Sequence, residues 1–389
     1  MYFYNINPIR LIELFAGIGS QAKALKNIGV DFEHWRICEF DDCAVRSYNA
    51  VHDTNFERSD IREIGSADLG IHNTDEFTYL LTYSFPCQDL SNAGKGRGME
   101  KGSGTRSGLL WEVERLLNEC KELPQVLLME NVPAVHRGKN EEHFNKWIEF
   151  LEGKGYSNYW KDLNLKDYGV PQSRNRCFMV SILGGYSFDF PKPVPLAKRL
   201  RDVMDNGVEE KYYLDGKYES ILKINDNYSV LCGGTIGKMH DISRRVYNPE
   251  YLAPSLHTCG GGNQEPKVFE PCVIGGLGEK KSNDGRQWYQ QDRIYDDGVA
   301  ISVTTAFNPY YLDTNEGRPR KLTPKECWRL MGFDDKDFFK AEKVCSNTQL
   351  YKQAGNSIGV PVLMAIFKEL FIPKKTRSEW LDELLGGDL

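Results

Sequence analysis

The chain has no apolar run approaching the roughly 18 residues of a membrane span. Its first residues, Met1-Tyr2-Phe3-Tyr4-Asn5-Ile6-Asn7-Pro8, offer neither a charged start nor a long apolar core, so a secretion signal is not expected. A cytoplasmic protein is expected instead, with no contact to membrane. The ten cysteines include no Cys-x-x-Cys pair and no Cys/His spacing of the metal-ligating kind. They are expected to be reduced thiols, and no metal is expected. There is no excess of positive charge: 49 Lys+Arg against 55 Asp+Glu give a net charge of −6. That excludes a globally basic nucleic-acid coat and leaves a local positive face as the remaining route to a polyanion. A phosphate loop of the Gly-x-x-x-x-Gly-Lys type is missing, and so is a complete Gly-x-Gly-x-x-Gly fingerprint. At 389 residues the chain is long enough for two domains.

What is present organises around Ser84-Phe85-Pro86-Cys87-Gln88. The apolar run at 77–83 reads as a buried strand, Pro86 ends it, and Cys87 follows at its carboxyl end. A loop rich in Gly and basic residues comes next, with Ser91, Lys95, Arg97, Lys101 and Arg106. In an open α/β sheet the crevice beyond the carboxyl strand ends is where ligands bind. Residues 9–15 form another strand pattern, followed by Ala16-Gly17-Ile18-Gly19-Ser20 and a helical run. Glu39 ends a second strand about 20 residues after that turn, the distance at which a carboxylate accepts from ribose hydroxyls. Phe40 beside it is placed to lie against an adenine face or to be a core aromatic. Asp41 or Asp42 is expected to cap the next helix. Ser59-Asp60-Ile61 reads as a third strand end, with Asp60 either accepting from an adenine amino group or serving a turn. Gly17, Gly19, Glu39 and Asp60 at successive strand ends point to an adenosine site.

The run Gln125-Val126-Leu127-Leu128-Met129 delivers Glu130-Asn131-Val132 to the same edge. A carboxylate after five apolar or neutral residues is costly to bury unpaired. Partial burial is expected to raise its pKa, which suits proton donation. Arg174 and Arg176 flank the start of another strand with side chains on one face. They are either solvated charges or a clamp on phosphate and base.

These residues, in this order, resemble the DNA (cytosine-5)-methyltransferases. The resemblance rests on Phe15-Ala16-Gly17-Ile18-Gly19, Glu39, Asp60, Phe85-Pro86-Cys87-Gln88, Glu130-Asn131-Val132 and Gln172-x-Arg174-x-Arg176. It continues in Arg320-Lys321-Leu322-Thr323-Pro324-Lys325-Glu326-Cys327 and Gly355-Asn356-Ser357-Ile358. Ser20 stands where the family often has a second glycine, and Ser84 where glycine is common before Phe-Pro-Cys. The resemblance implies a Rossmann-like, S-adenosylmethionine-dependent α/β sheet with an inserted, smaller β-rich target-recognition domain. It implies Cys87 as the nucleophile on cytosine C6, Glu130 on N3, and Arg176 with Arg174 on the base carbonyl and adjacent phosphate. A free thiol near pKa 8.5 needs lowering by neighbouring cations for that role. S-adenosylmethionine is implied across Phe15, Ala16, Gly17, Ile18, Gly19, Glu39, Phe40, Asp60, Ile61, Asn356 and Ser357. Duplex DNA is the implied partner, contacted by Gln88, Ser91, Lys95, Arg97, Arg106, Arg244, Arg245 and Arg293, with the target base flipped out. A monomer is expected, with a cognate restriction endonuclease as a further partner in a restriction-modification pair.

The division expected is a catalytic domain at 1–185 completed by 341–389, with target recognition and hinge at 186–340. Phe190-Pro191-Lys192-Pro193-Val194-Pro195 reads as a linker. The inserted region holds slightly more acidic than basic residues, so its DNA face depends on placement rather than net charge. Within it, Gly233-Gly234-Thr235, Arg245-Val246-Tyr247 and Ser255-Leu256-His257-Thr258 parallel Gly275-Gly276-Leu277, Arg293-Ile294-Tyr295 and Ser302-Val303-Thr304-Thr305. Two copies of a β-rich unit are expected, against an alternative of shared turn chemistry. Candidate base contacts are Arg244, Arg245, His257, Asn263, Gln264, Arg286, Gln287 and Arg293. Thr323-Pro324-Lys325-Glu326 is a capping box with Pro at the first turn. A peripheral helix is expected after Pro373. A tRNA cytosine methyltransferase shares the catalytic motifs, but the roughly 130-residue insert and the missing Cys-Phe-Thr signature count against it. A catalytically idle DNA-binding protein is disfavoured by Cys87, Glu130 and Arg176 together, and a nicotinamide oxidoreductase by the incomplete glycine fingerprint.

Overall fold

The computed structural model describes residues 7–90, 98–213 and 318–373, with short strands at 246–247, 253–254, 267–268, 294–295, 299–300 and 310–313 between them. Ser91, Lys95, Arg97, Arg244, Arg245 and Arg293 lie outside the described residues, as do His257, Asn263, Gln264, Arg286, Gln287 and the tail after Pro373. The internal parallel falls largely outside them too.

Six strands form the central sheet in the order β2-β1-β3-β4-β7-β5. They are β1 (Ile9–Leu14), β2 (Phe32–Cys38), β3 (Thr78–Tyr83), β4 (Val126–Asn131), β5 (Tyr156–Asn164) and β7 (Asn175–Leu183), with the two-residue β6 (Gln172–Ser173) just before β7. Strands β1 to β4 run parallel, whereas β7 pairs antiparallel with both β4 and β5. Every residue of β3 and β4 is buried. Both faces are covered, so these strands read as continuous apolar runs rather than alternating ones.

Alternate side chains feed two separate cores. Leu80, Val126, Leu128, Phe178 and Val180 face α1 (Ser20–Asn27) and α9 (Val360–Phe371). Leu81, Tyr83, Leu127, Met129 and Met179 face α4 (Leu110–Glu119) and α5 (Glu141–Gly153). Helix α2 (Asp42–His52) starts at Asp41, whose carboxylate accepts from the Cys43 and Ala44 amides; α3 is the single turn Ser66–Leu69. Thr323 and Glu326 close the expected capping box on α6 (Pro324–Arg329). Helices α7 (Asp335–Glu342) and α8 (Asn347–Asn356) follow, and Trp328, Phe338 and Leu350 join the α9 core. Each fully buried Leu or Phe contributes about 1.5–3 kcal/mol, so the late helices are held to the first half by packing. No single helix among the described residues is long and apolar enough to cross a membrane.

One expected strand end is absent. Ser59-Asp60-Ile61 lies in a loop between α2 and α3, and the third strand is β3. The segment offers one apolar residue where a central strand needs several. It still reaches the sheet edge, because the Ser59 amide donates to the Glu39 carbonyl at 3.0 Å.

The turn after β1 is held in an unusual backbone. Phe15, Gly17 and Gly19 all have positive φ, at 57°, 56° and 78°. The Phe15 and Ala16 amides both donate to the Cys38 carbonyl, which pins the turn against the end of β2. A methyl group on Gly19 would stand 2.2 Å from His52 Nε2. Gly19→Ala is therefore expected to cost about 1–3 kcal/mol through strain and the clash. A thermal-unfolding midpoint equal to that of the parent would show that the turn relaxes freely. Beneath it, Glu13 is fully buried and accepts from the Tyr48 hydroxyl, and burial pushes its carboxyl up to about 7.

Candidate active site

The carboxyl ends of β1, β2, β3 and β4 open onto one cleft of about 1030 Å³. Cys87 lies on its wall, four residues past the end of β3. Glu130 and Asn131 are the last two residues of β4, directly opposite Phe178 and Cys177 of β7. Arg176 stands next along β7 and reaches back, Nε to Glu130 Oε1 at 3.3 Å. Arg174 enters the same space from the turn between β6 and β7. It is nearly inaccessible and donates through Nη2 to the carbonyls of Gly355 and Ser357, at 2.9 and 3.0 Å. A residue of the first half thus holds the late Gly-Asn-Ser turn in place.

The strand ends are tied together as well. Asn131 Nδ2 donates to the Phe85 carbonyl at 2.9 Å, and Ser107 Oγ donates to the Pro86 carbonyl at 2.6 Å. These bonds fix the backbone on both sides of Cys87. Arg106 donates from its side chain to Gln88 Oε1 at 2.6 Å and from its amide to Asp89 Oδ2 at 2.9 Å. The two ends of the basic loop are therefore joined at its base.

The electrostatics depart from expectation at the thiol. Burial pushes the Cys87 thiol up; Arg176 and Arg174 pull the other way, and the Glu130 carboxylate adds to the rise. The cations are present, yet desolvation outweighs them, because losing water penalises a thiolate more than two partly shared guanidiniums repay. Burial raises the Glu130 carboxyl above its usual range, again against the pull of Arg176 and Arg174. That direction is the expected one. The cost of burying Arg174 brings its own pKa down to about 9.

The other half of the cleft is lined by Phe15, Ala16, Gly17, Ile18, Glu39, Phe40, Asp60, Ile61, Asn356 and Ser357. Gly19 is not on the wall; it packs the start of α1 against His52 and Tyr48. Glu39 accepts from the Gly17 amide at 2.9 Å and the Asp41 amide at 2.8 Å, which orients its carboxylate across the turn. Phe40 is not a core aromatic, since it is 57% exposed. Asp60 is nearly buried and paired with Arg62, which holds its carboxyl below the usual range. Oriented carboxylates, an open aromatic face and a glycine turn with open space beside Gly17 fit an adenosine moiety. Sequence reasoning missed Lys352, which lines the cleft one helical turn before Asn356 and pairs with Asp41. Nothing in an isolated lysine distinguishes it from a solvated one. Away from the cleft, His136, Asp162 and Cys177 place possible ligand atoms within 4.8 Å of one another, but Asp162 already bonds His136 and Arg137.

Comparison with known proteins settles the family. Residues 9–372 match the family described as C-5 cytosine-specific DNA methylase. The chain belongs to that family. It is a methyltransferase acting on cytosine C5 in DNA, and the fold and family imply S-adenosylmethionine as methyl donor. Similar curated proteins include the orphan methyltransferase M.SPBetaI of Bacillus phage SPbeta, 32% identical over 94% of this chain and 98% of the relative. The type II methyltransferase M2.ScrFI of Lactococcus lactis subsp. cremoris is 30% identical over 93% of this chain and 99% of its own. Among solved structures, the S. pombe Dnmt2 methyltransferase superposes with a TM-score of 0.62 at 16% identity, covering 93% of this chain and 97% of that one. At that identity the likeness speaks for the fold.

Proposed function

We propose that this methylase acts on a cytosine extruded from duplex DNA and that Cys87 adds to C6 of the base. The observation that carries the reading is the convergence of Cys87, Glu130, Arg174 and Arg176 in the cleft that also holds Glu39, Phe40 and Asp60. Cytosine C5 is a weak nucleophile. Addition of a thiolate at C6 makes the ring enamine-like, and its electron density then rests on C5. Glu130 meets N3 and holds or supplies a proton there, while Arg176 holds the base carbonyl. Arg174 acts mainly by fixing the Gly355–Ser357 turn. S-adenosylmethionine supplies an electrophilic methyl group. Phe15, Ala16, Gly17, Ile18, Glu39, Phe40, Asp60, Ile61, Asn356 and Ser357 would hold it, with Gly19 acting through the turn. After transfer, the C5 proton leaves to solvent and the Cys87–C6 bond breaks, which regenerates the thiol. A base stacked in a duplex cannot reach a thiol on the wall of this cleft, so it must leave the helix.

The inserted region at 186–340 is proposed to read the DNA, with Arg244, Arg245 and Arg293 among its contacts and Gln88, Ser91, Lys95, Arg97 and Arg106 closing on the target base. The catalytic domain is proposed to comprise 1–185 and 341–389; the helices at 324–342 pack into its core and serve as the hinge. Similarity to a type II enzyme supports a role in restriction-modification, with an endonuclease of matching specificity. We place the enzyme as a monomer in the cytoplasm of a bacterial or phage-infected cell. The test is transfer of labelled methyl groups to duplex DNA and to tRNA, with mapping of the modified cytosines. Label in DNA is expected; label in tRNA alone would overturn the proposal. DNA carrying 5-fluorocytosine at the mapped site is expected to trap a covalent complex, since C5 then has no proton to lose. Failure to trap would remove the Cys87–C6 adduct.

A further inference from the structure

Phe40 is the most exposed large apolar side chain among the described residues, and water gives such a ring no reason to hold one orientation. Its position is nonetheless defined from behind. The guanidinium of Arg58 lies over the ring with Cζ 4.6 Å from the centroid. Arg58 is not among the residues lining the cleft, while Phe40 is. The ring thus lines the cleft and carries over one face a cation that does not line it. Arg58 is itself held by a pinned segment. The Phe56 amide donates to Asn49 Oδ1 at 2.8 Å, Asn49 Nδ2 returns a bond to the Phe56 carbonyl at 2.9 Å, and Ser59 N–H bonds the Glu39 carbonyl. Arg58 also lies near enough to help hold the Asp60 carboxyl low, behind the pairing with Arg62.

We propose that Arg58 is a positioning residue for the methyl donor, acting through Phe40: it stacks on the outer face of the ring and so fixes the inner face against which the adenine lies. This rests on the reading of Glu39, Phe40 and Asp60 as the adenosine site. A cation on one face of an aromatic ring restricts its rotamers and polarises its π-system. No covalent step and no contact between Arg58 and the cofactor is involved.

The test is calorimetric binding of S-adenosylmethionine and of 5′-methylthioadenosine, which keeps the adenosine and lacks the amino-acid moiety. Arg58→Ala is expected to weaken both ligands by the same factor, about two- to fivefold for an exposed cation–π contact, with an unchanged unfolding midpoint. Arg58→Lys is expected to recover part of the loss. In a Phe40→Leu background, Arg58→Ala is expected to add nothing. Phe40→Leu weakening both ligands while Arg58→Ala binds like the parent would overturn the role of Arg58 and leave the adenosine site standing. A loss confined to S-adenosylmethionine, or one that persists in the Phe40→Leu background, would overturn it too, because the arginine would then act by charge alone. Wild-type binding by both Phe40→Leu and Glu39→Gln would instead remove the adenosine site itself.

Discussion

Cys87→Ser is expected to abolish turnover while S-adenosylmethionine still binds with the parent's affinity. The substitution keeps size and hydrogen bonding but replaces sulfur with a hydroxyl that ionises several pH units higher. The Cys87 thiol is already held above its ordinary value by burial and by Glu130, so the site does not hold a free thiolate in reserve. A serine in the same surroundings is worse placed still, and we expect a loss of at least about a thousandfold in the rate of methyl transfer. The cofactor half of the cleft is built from the turn after β1, the end of β2, the loop between α2 and α3 and the end of α8, none of which contains residue 87. Calorimetry on the variant separates the two outcomes. Activity within tenfold of the parent would remove Cys87 as the nucleophile; loss of cofactor binding as well would mean that the substitution had damaged the fold.

The raised thiol also marks where sequence reading stopped. Arg174 and Arg176 are visible in the chain as a same-face pair, and their approach to the thiol follows from the family resemblance. The balance between their pull and the cost of burial does not, since it depends on how much water reaches Sγ. Glu130 was legible because five residues of the Gln125–Met129 run commit it to a buried strand end. Asp60 was misplaced as a strand end: it lies in a loop that reaches the sheet edge only through the backbone bond from Ser59 to Glu39, and its carboxylate accepts from the Arg62 amide two residues on. The antiparallel insertion of β7 between β4 and β5 is not legible either: the polar, half-exposed β5 reads as an edge strand, but nothing in its sequence says which strand it pairs with. Arg58 and Lys352 carry no signal at all. A basic side chain acquires a role only when the fold sets an aromatic ring or a carboxylate beside it.

Glu130→Gln carries the second large effect, and its pH profile is more informative than its size. The proposed chemistry needs Glu130 protonated and Cys87 ionised at once. Both groups lie above their ordinary values, and in free solution a carboxyl ionises before a thiol. Between the two apparent pKa values the resting pair is carboxylate and thiol, and a constant small fraction has exchanged the proton. The parent's rate is then flat over that window. It falls below the lower value, where both groups are protonated, and above the higher, where neither is. These values belong to the coupled pair rather than to either residue. Gln keeps an N–H for N3 but cannot supply a proton, so the plateau rate is expected to drop by about 10²- to 10⁴-fold. It also removes the acid–base partner, so the variant's rate should climb tenfold per pH unit until the thiol ionises, with no alkaline fall. That ionisation should come at lower pH than in the parent, because the Glu130 charge that raises it is gone. Single-turnover methyl transfer across the pH range reads all three features. A variant that retains the parent's flat window at a rate within threefold would show that Glu130 orients the base without handling a proton.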